Sequence, residues 1–326
     1  MRPAFSVIFL TTLIGVGQGL FLALVAGQFY WVIGATEVAE AENFYAFGSL
    51  LALAFLGAGL FASFFHLAHP ERAWRAASQW RTSWLSREVI ALPAVMGIIS
   101  FYGGLHWLEY RPVLMTFGNM KDLDLTMATG YVGAALVMAL FICTGMIYAC
   151  MKFIQQWASP LIVLNFSLMG TASGFALATA YASLMDSPLV DFFAGGAILL
   201  GIAALFGRLA SLWRNKNIKL LSSLQSAIGL HHRNLRQLTR GFTASSFNLK
   251  EFFHPGSPTL VPTLTMVYII LAFMLPLMLM IFGWSQGSMP LFALAFLTQY
   301  TGLLIERWVF FAEASHPQNL YYQKVA

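Results

Sequence analysis

The sequence has little charge and almost no cysteine. Charged residues make up 10% of the 326 residues and hydrophobic residues 59%, beyond the apolar share of about 45–50% that is usual in soluble domains. The only two cysteines, Cys143 and Cys150, share one apolar run. At helical spacing they lie about 10 Å apart along the axis, too far to form a disulfide. Two thiols are also fewer than the four or so that an iron–sulfur cluster needs. The composition therefore predicts an integral membrane protein without a disulfide or a cluster of its own.

The distribution of the basic residues also argues against nucleic-acid binding. The formal net charge is +5, but the basic residues stand in short segments between apolar runs and form no continuous basic face. Anionic lipid and a protein partner are better candidates. The first apolar run reaches Tyr30, longer than the 7–15 residues or so of a secretory signal core, and predicts a retained first helix.

Eight apolar runs reach the length of about 20 residues that a membrane-spanning helix needs. Their evenly apolar composition favours helices over the alternating strands of a barrel. The sequence therefore predicts an all-α polytopic fold in a single membrane domain. The predicted spans are 5–33, 43–66, 88–108, 127–149, 160–183, 189–213, 262–283 and 289–312.

The charges between these runs predict an orientation. Eight spans put both termini on one side, and that side carries 16 of the 18 basic residues, while 8 of the 13 acidic residues fall on the other. The positive-inside rule then places the termini, the loop 66–88 and the long loop 214–260 in the cytoplasm. The first half of the loop 214–260 alternates basic and apolar residues at helical spacing, which predicts an amphipathic helix that lies on the membrane or docks a partner.

The stretch from Ser63 to Glu88 concentrates ionisable and aromatic residues between two nearly uncharged spans. Tryptophan and arginine in such a place are commonly an interfacial belt that only orients the protein. The sharper interpretation is a redox site. His66 closes the second span and Glu88 opens the third, and ionisable groups at a span edge are functional candidates. The imidazole could hydrogen-bond a quinone carbonyl and the carboxylate could relay protons. Alternatively, Glu88 pairs with Arg87 or Arg72 and His66 caps its helix.

Haem binding is a weaker interpretation of the histidines. A b-type haem within a bundle needs two axial ligands at one depth. His66 and His106 fall at opposite ends of neighbouring spans, and the remaining histidines fall in loops or the tail. We therefore expect no haem. The pair Glu306 and Arg307, inside the last span, is predicted to form a local ion pair.

The residues HLAHPERAWRA, SWLSREVI and the closing LIERWVFFAEASHPQNLYYQ resemble the membrane-anchor subunits of the dimethyl sulfoxide reductase type. The resemblance extends over essentially the whole chain and is most specific at 63–90. It implies an eight-helix anchor that binds ubiquinone or menaquinone, beside an iron–sulfur subunit that carries a molybdopterin catalytic subunit. The family's quinone-site histidine, in the motif H-L-x-x-P-x-R-A, corresponds to His66, and its glutamate, in L-S-x-E, to Glu88. Arg72, Arg87 and Trp84 complete the predicted quinone site.

The charge distribution departs from part of this family. In dimethyl sulfoxide reductase itself the quinone-site loop faces the periplasm, whereas here it is predicted to be cytoplasmic. The tail and the basic loop are more similar to anchors of cytoplasm-facing sulfite dehydrogenases. The resemblance thus implies electron transfer from sulfite oxidation to quinone, with a quinol-consuming reductase anchor as the alternative. A transporter is a weaker hypothesis, because the spans carry almost no charge away from their ends.

Overall fold

The apolar runs form long helices. A computed structural model describes residues 2–35, 42–116, 122–219, 222–232, 234–236, 252–253 and 257–317. Within these residues, eight helices are long and apolar enough to cross a membrane. The all-α class and the eight spans are thereby confirmed. The helices are Phe5–Val32 (α1), Glu42–Ser63 (α2), Trp84–Trp107 (α3), Leu125–Ala149 (α4), Pro160–Leu184 (α5), Val190–Lys216 (α6), Leu260–Gln286 (α7) and Met289–Ala312 (α8).

The third helix begins earlier than its predicted start at residue 88. The Ser83 side chain accepts a hydrogen bond from the backbone N–H of Ser86 and so caps the first turn of α3 at Trp84. Such a cap satisfies an N–H that the helix itself leaves without a partner. Glu88 consequently lies in the second turn of α3 rather than at its first residue.

Helix α1 is the centre of the bundle and contacts α2, α4, α5 and α8. Its crossing with α5 brings the two backbones together, because a Cβ atom on Gly174 would lie only 1.9 Å from the carbonyl carbon of Gly19. Close approach through small residues is the usual way for helices to pack in lipid. The middle of α1 is covered by neighbours on every side, and Leu20, Phe21 and Leu24 are fully buried.

Contacts between connecting segments identify one end of the bundle. The Trp157 indole donates to the carbonyl of Phe310 at 3.1 Å, and the Arg214 guanidinium donates to the carbonyls of Gln155 and Ala158. These bonds join the α4–α5 connection to the ends of α8 and α6. We call this the terminal end, because eight spans also put the start of α1 there. At the opposite end, Val113–Met115 (β1) and Leu123–Asp124 (β2) form a small antiparallel pair.

The long segment 214–260 is only partly described. Helix α6 continues to Lys216, and the described part of the segment contains the five-residue helix Leu224–Ile228. Residues 229–232 and 234–236, which the predicted amphipathic helix includes, are not helical. Arg233 and residues 237–251 and 254–256 lie outside the described residues. Phe253 packs against Trp308 with ring centroids 5.0 Å apart, so the last part of the segment lies on the end of α8.

Candidate functional site

His66 lies at the terminal end, in the 3₁₀ turn Phe64–His66 that continues α2. Its side chain is exposed and makes no hydrogen bond or ion pair within the described residues. Three apolar rings nearby are also exposed: Phe61, Phe64 and Phe65 show 64%, 47% and 73% of their surface. The imidazole is therefore available to a ligand beside an apolar surface.

Glu88 faces the inside of the bundle. Its residue is half-buried, and its carboxylate accepts a hydrogen bond from the Oγ1 hydroxyl of Thr144 on α4. Thr144 is itself buried at 6% exposure. The alternative in which Glu88 pairs with Arg87 or Arg72 does not occur within the described residues. A carboxylate held at the bundle edge by an interior hydroxyl is suited to proton transfer.

Arg87 fixes the loop that precedes α3. Its Nε donates to the carbonyl of Trp80 at 2.9 Å and its Nη2 to the carbonyl of Arg81 at 2.8 Å. The guanidinium also lies 4.2 Å from the centroid of the Trp84 ring, a cation–π contact. Arg72 instead lies near an exposed carboxylate, with its Nε 3.7 Å from Glu71 Oε1. Arg87 and Trp84 thus form one unit, and Arg72 belongs to the exposed part of the loop.

The loop also presents tryptophans to the surroundings. The second 3₁₀ segment, Pro70–Gln79, contains Trp74, which is 71% exposed, and Trp80 follows it with 52% exposed. The Arg75 and Arg81 guanidinium groups lie 5.6 Å and 5.4 Å from these rings. Exposed Trp and Arg side chains suit either an interfacial belt or a protein interface.

The structure groups the predicted site residues into two sets at the same end. His66 stands at the end of α2, and Glu88 with Arg87 and Trp84 stands at the start of α3, which packs against α2. No hydrogen bond or ion pair joins His66 to Glu88 in the described part of the chain. Both residues nevertheless lie at the end of the bundle at which α2 ends and α3 begins.

A buried charge network, which sequence analysis found only in part, lies at the same end. The predicted pair is present, with Arg307 Nε donating to Glu306 Oε2 at 2.6 Å. Arg208 of α6 adds to it: its Nε lies 3.0 Å from Glu306 Oε1 and donates to the Tyr268 hydroxyl at 3.0 Å. Arg208, Glu306 and Arg307 are at most 5% exposed. Beyond the predicted pair, the sequence indicated this network only through Arg208, because a cation inside the predicted sixth span needs a partner.

Glu313 connects this network to the surface. Its Oε2 lies 3.9 Å from Arg208 Nη2, and its side chain is 23% exposed just beyond α8. Burial raises the pKa of Glu313 above its ordinary value, while the Arg208 charge opposes that shift. The four charges formally balance when Glu313 is ionised. Arg208 belongs to α6, and Glu306 and Arg307 belong to α8, so the network also joins these two helices.

A small cavity with a partly polar lining lies between the network and Glu88. It has a volume of about 30 Å³ and lies between α1, α4, α5 and α8, enough for one or two water molecules. Its polar lining comes from Thr11, Thr12, Gln18, Thr144, Ser173 and Arg307. The Gln18 Nε2 and Arg307 Nη1 atoms are buried without a hydrogen-bond partner in the described residues. Two buried donors without partners, on residues that line a cavity of this size, are typical of a water site.

A separate polar network lies at the opposite end of the bundle. His106 is fully buried, and its Nδ1 is 3.2 Å from Arg111 Nη2. Next to it, the Tyr102 hydroxyl donates to Gln28, whose amide donates to Thr126 at 2.7 Å. His106 and His66 therefore stand at opposite ends of the α2–α3 pair, as the spacing predicts.

Comparison with known proteins gives two matches. Residues 1–313 match the family model described as DMSO reductase anchor subunit (DmsC). The whole chain is also 52% identical over 326 residues to a protein of Allochromatium vinosum described as a sulfite dehydrogenase subunit, and the match covers 100% of both chains.

Proposed function

The chain belongs to the DMSO reductase anchor subunit family, and on that premise we propose that it is the quinone-binding membrane anchor of a molybdenum and iron–sulfur oxidoreductase. It passes electrons between an attached iron–sulfur subunit and the quinone pool. The identity of 52% to a subunit of a sulfite dehydrogenase, over the full length of both chains, favours sulfite oxidation as their source. The observation that carries the quinone assignment is that the inward-facing Glu88 carboxylate and the exposed His66 imidazole lie at the same end of the bundle, on the neighbouring helices α3 and α2.

The residues at this edge fit a quinone. A bound quinone accepts two electrons and two protons on becoming quinol, and oxidation of sulfite to sulfate by water releases the same numbers. The exposed Phe61, Phe64 and Phe65 rings offer an apolar surface for an isoprenoid tail. His66 is available to donate a hydrogen bond to a ring carbonyl, and Glu88 can hold and release a proton. The carboxylate faces Thr144 rather than a cation, so no ion pair must break when it is protonated.

The other predicted residues hold this edge in shape. Arg87 ties α3 to the preceding loop through two carbonyls and stacks on Trp84. Arg72 lies in the exposed part of the loop, where it can contact a headgroup or a partner. The spans' buried charges, Arg208, Glu306 and Arg307, are paired at one end of the bundle. That placement favours an anchor over a transporter, which commonly binds its substrate near the midplane.

The terminal end is proposed to face the cytoplasm of a bacterial inner membrane, because 16 of the 18 basic residues lie on that side. Arg208 and Arg307 belong to this count although both are buried in the bundle; leaving them out does not change the majority. Alkaline phosphatase fused after Ala326 should be inactive, since it requires the periplasm. A green fluorescent protein fused at the same residue is the control and should fluoresce. If the phosphatase fusion is active and the fluorescent-protein fusion does not fluoresce, the termini lie in the periplasm and the proposed orientation is wrong.

The exposed loop 66–83 is the proposed docking surface for the iron–sulfur subunit. A tagged chain should co-purify with an iron–sulfur and a molybdenum subunit, and the preparation should oxidise sulfite. The double charge reversal Arg75→Glu and Arg81→Glu should release most of the partner at raised salt, because Arg and Trp anchors dominate such interfaces. Asp122→Arg, an exposed position at the opposite end, is the matched control and should retain the partner.

Two outcomes would contradict the docking proposal. Loss of the partner in the Asp122 variant but not in the arginine variants would place the interface at the other end of the bundle. A complex that reduces dimethyl sulfoxide with quinol and leaves sulfite unchanged would contradict the sulfite assignment and favour a reductase anchor.

A further inference from the structure

We propose that Glu88 exchanges protons with solvent through the interior of the bundle, along Thr144, the adjoining cavity and the buried charge network, to Glu313 at the terminal end. The proposal rests on the proposed function, since it concerns the protons that quinone reduction consumes. It assigns a role to groups that the quinone site itself does not use.

The route begins on the inner side of Glu88. A quinone headgroup beside His66 would cover the outer side of the α2–α3 edge, which is the short way from the carboxylate to water. The carboxylate is hydrogen-bonded in the other direction, to the Thr144 hydroxyl. A hydroxyl both donates and accepts hydrogen bonds. Thr144 can therefore accept a proton from a neighbouring water while giving its own to Glu88.

The cavity supplies that water. Thr144 lines it together with Gln18, Ser173 and Arg307. About 30 Å³ is room for one or two waters. The partnerless donors Gln18 Nε2 and Arg307 Nη1 can each hold one by its oxygen. A water held in this way points its hydrogens towards acceptors, and the threonine hydroxyl is one of them.

The charge network continues the route to the surface. Arg307 reaches Glu306, Glu306 reaches Arg208, and Arg208 Nη2 lies 3.9 Å from Glu313. The arginines remain charged and do not carry the proton themselves. Their guanidinium groups, held in place by Glu306, orient water between the cavity and Glu313. Glu313, 23% exposed, is the exchange point.

Along α1, the route meets an apolar layer on the side away from the terminal end. Between Gln18 and Gln28, α1 carries only apolar residues and glycine. Leu20, Phe21 and Leu24, in the middle of this segment, are fully buried in the core. Because a helix rises by about 1.5 Å per residue, this layer is about 15 Å thick. Along α1 it separates the cavity from the network around His106. On the proposed route, protons are therefore taken up on the side on which both termini lie.

Thr144→Val tests the route in the assembled complex. Valine keeps the shape of threonine but removes the hydroxyl, so the quinone-linked rate should fall about 10-fold or more, the scale of one hydrogen bond to a charged group. The solvent deuterium isotope effect on that rate should rise, because proton delivery becomes limiting. Thr144→Ser keeps the hydroxyl and should restore both values. Thr129→Val is the control, since Thr129 lies at the other end of α4 and bonds only its own helix, at the carbonyl of Leu125.

The outcomes separate the route from the quinone site. A Thr144→Val complex with wild-type rate and isotope effect would overturn the route, and equal loss in Thr144→Ser would show a packing defect instead of a lost hydroxyl and would also overturn it. Glu313→Gln should raise the isotope effect as well; no change there would remove Glu313 from the route. If His66 and Glu88 variants also keep their quinone rate, the proposed function fails; if only the Thr144 result fails, the route alone is wrong.

Discussion

Replacing His66 by alanine or Glu88 by glutamine should lower the quinone-linked rate by about 100-fold, the lower range for a positioned acid–base group. Activity with a water-soluble artificial acceptor should stay at the wild-type level, because those electrons leave the partner without passing this chain. The measurement compares both rates on the same purified complex. His69→Ala is the control: His69 is exposed, bonds Glu71 at 3.1 Å and should not affect the quinone rate.

Two results would contradict this assignment. Equal loss of both activities would mean that His66 and Glu88 hold the assembly together and take no part in quinone chemistry. Unchanged quinone turnover in both variants would remove the site from the α2–α3 edge.

Removing the Glu306 carboxylate should destabilise the chain severely. Glu306→Gln leaves Arg208 and Arg307 without their shared partner, and both are almost completely buried. Breaking a buried ion pair from one side costs about 3–5 kcal/mol. The thermal midpoint of the chain purified in detergent should therefore fall by several degrees. The variant Glu306→Asp keeps a carboxylate on a side chain that is one methylene shorter, so its thermal midpoint should lie between those of Glu306→Gln and the wild type.

Glu71→Gln is the matched control for this prediction. Glu71 forms ion pairs with His69 and Arg72, but all three are exposed, and surface pairs contribute about 0–1 kcal/mol. Its midpoint should stay near that of the wild type. A Glu306→Gln midpoint equally close to the wild type would mean that the network does not stabilise the bundle.

The spans were predictable because each is a continuous apolar run, and a chain in lipid must satisfy its backbone polar groups within each helix. The start of α3 was misplaced for a physical reason. Arg87 and Glu88 look like the edge of a span, but the Ser83 cap starts the helix at Trp84, and Glu88 turns inwards to Thr144.

The interior partners could not be predicted from the sequence. Thr144 is one hydroxyl in an apolar run, and threonines in such helices commonly bond their own backbone. Its carboxylate partner lies 56 residues away. Arg208 lies inside the predicted sixth span, 189–213, and was counted only among the charges of the terminal side, because the sequence does not show that its side chain turns towards Glu306. Which face of a span meets which neighbour is decided by packing such as the Gly19–Gly174 crossing, and uniformly apolar helices carry little pattern to reveal it.

The central claim is that quinone reacts on this chain. The most direct measurement is sulfite-dependent reduction of a short-chain quinone by the catalytic and iron–sulfur subunits prepared with and without it. We expect both preparations to reduce ferricyanide at the same rate and only the preparation that contains the chain to reduce the quinone. Equal quinone reduction without the chain would contradict the account.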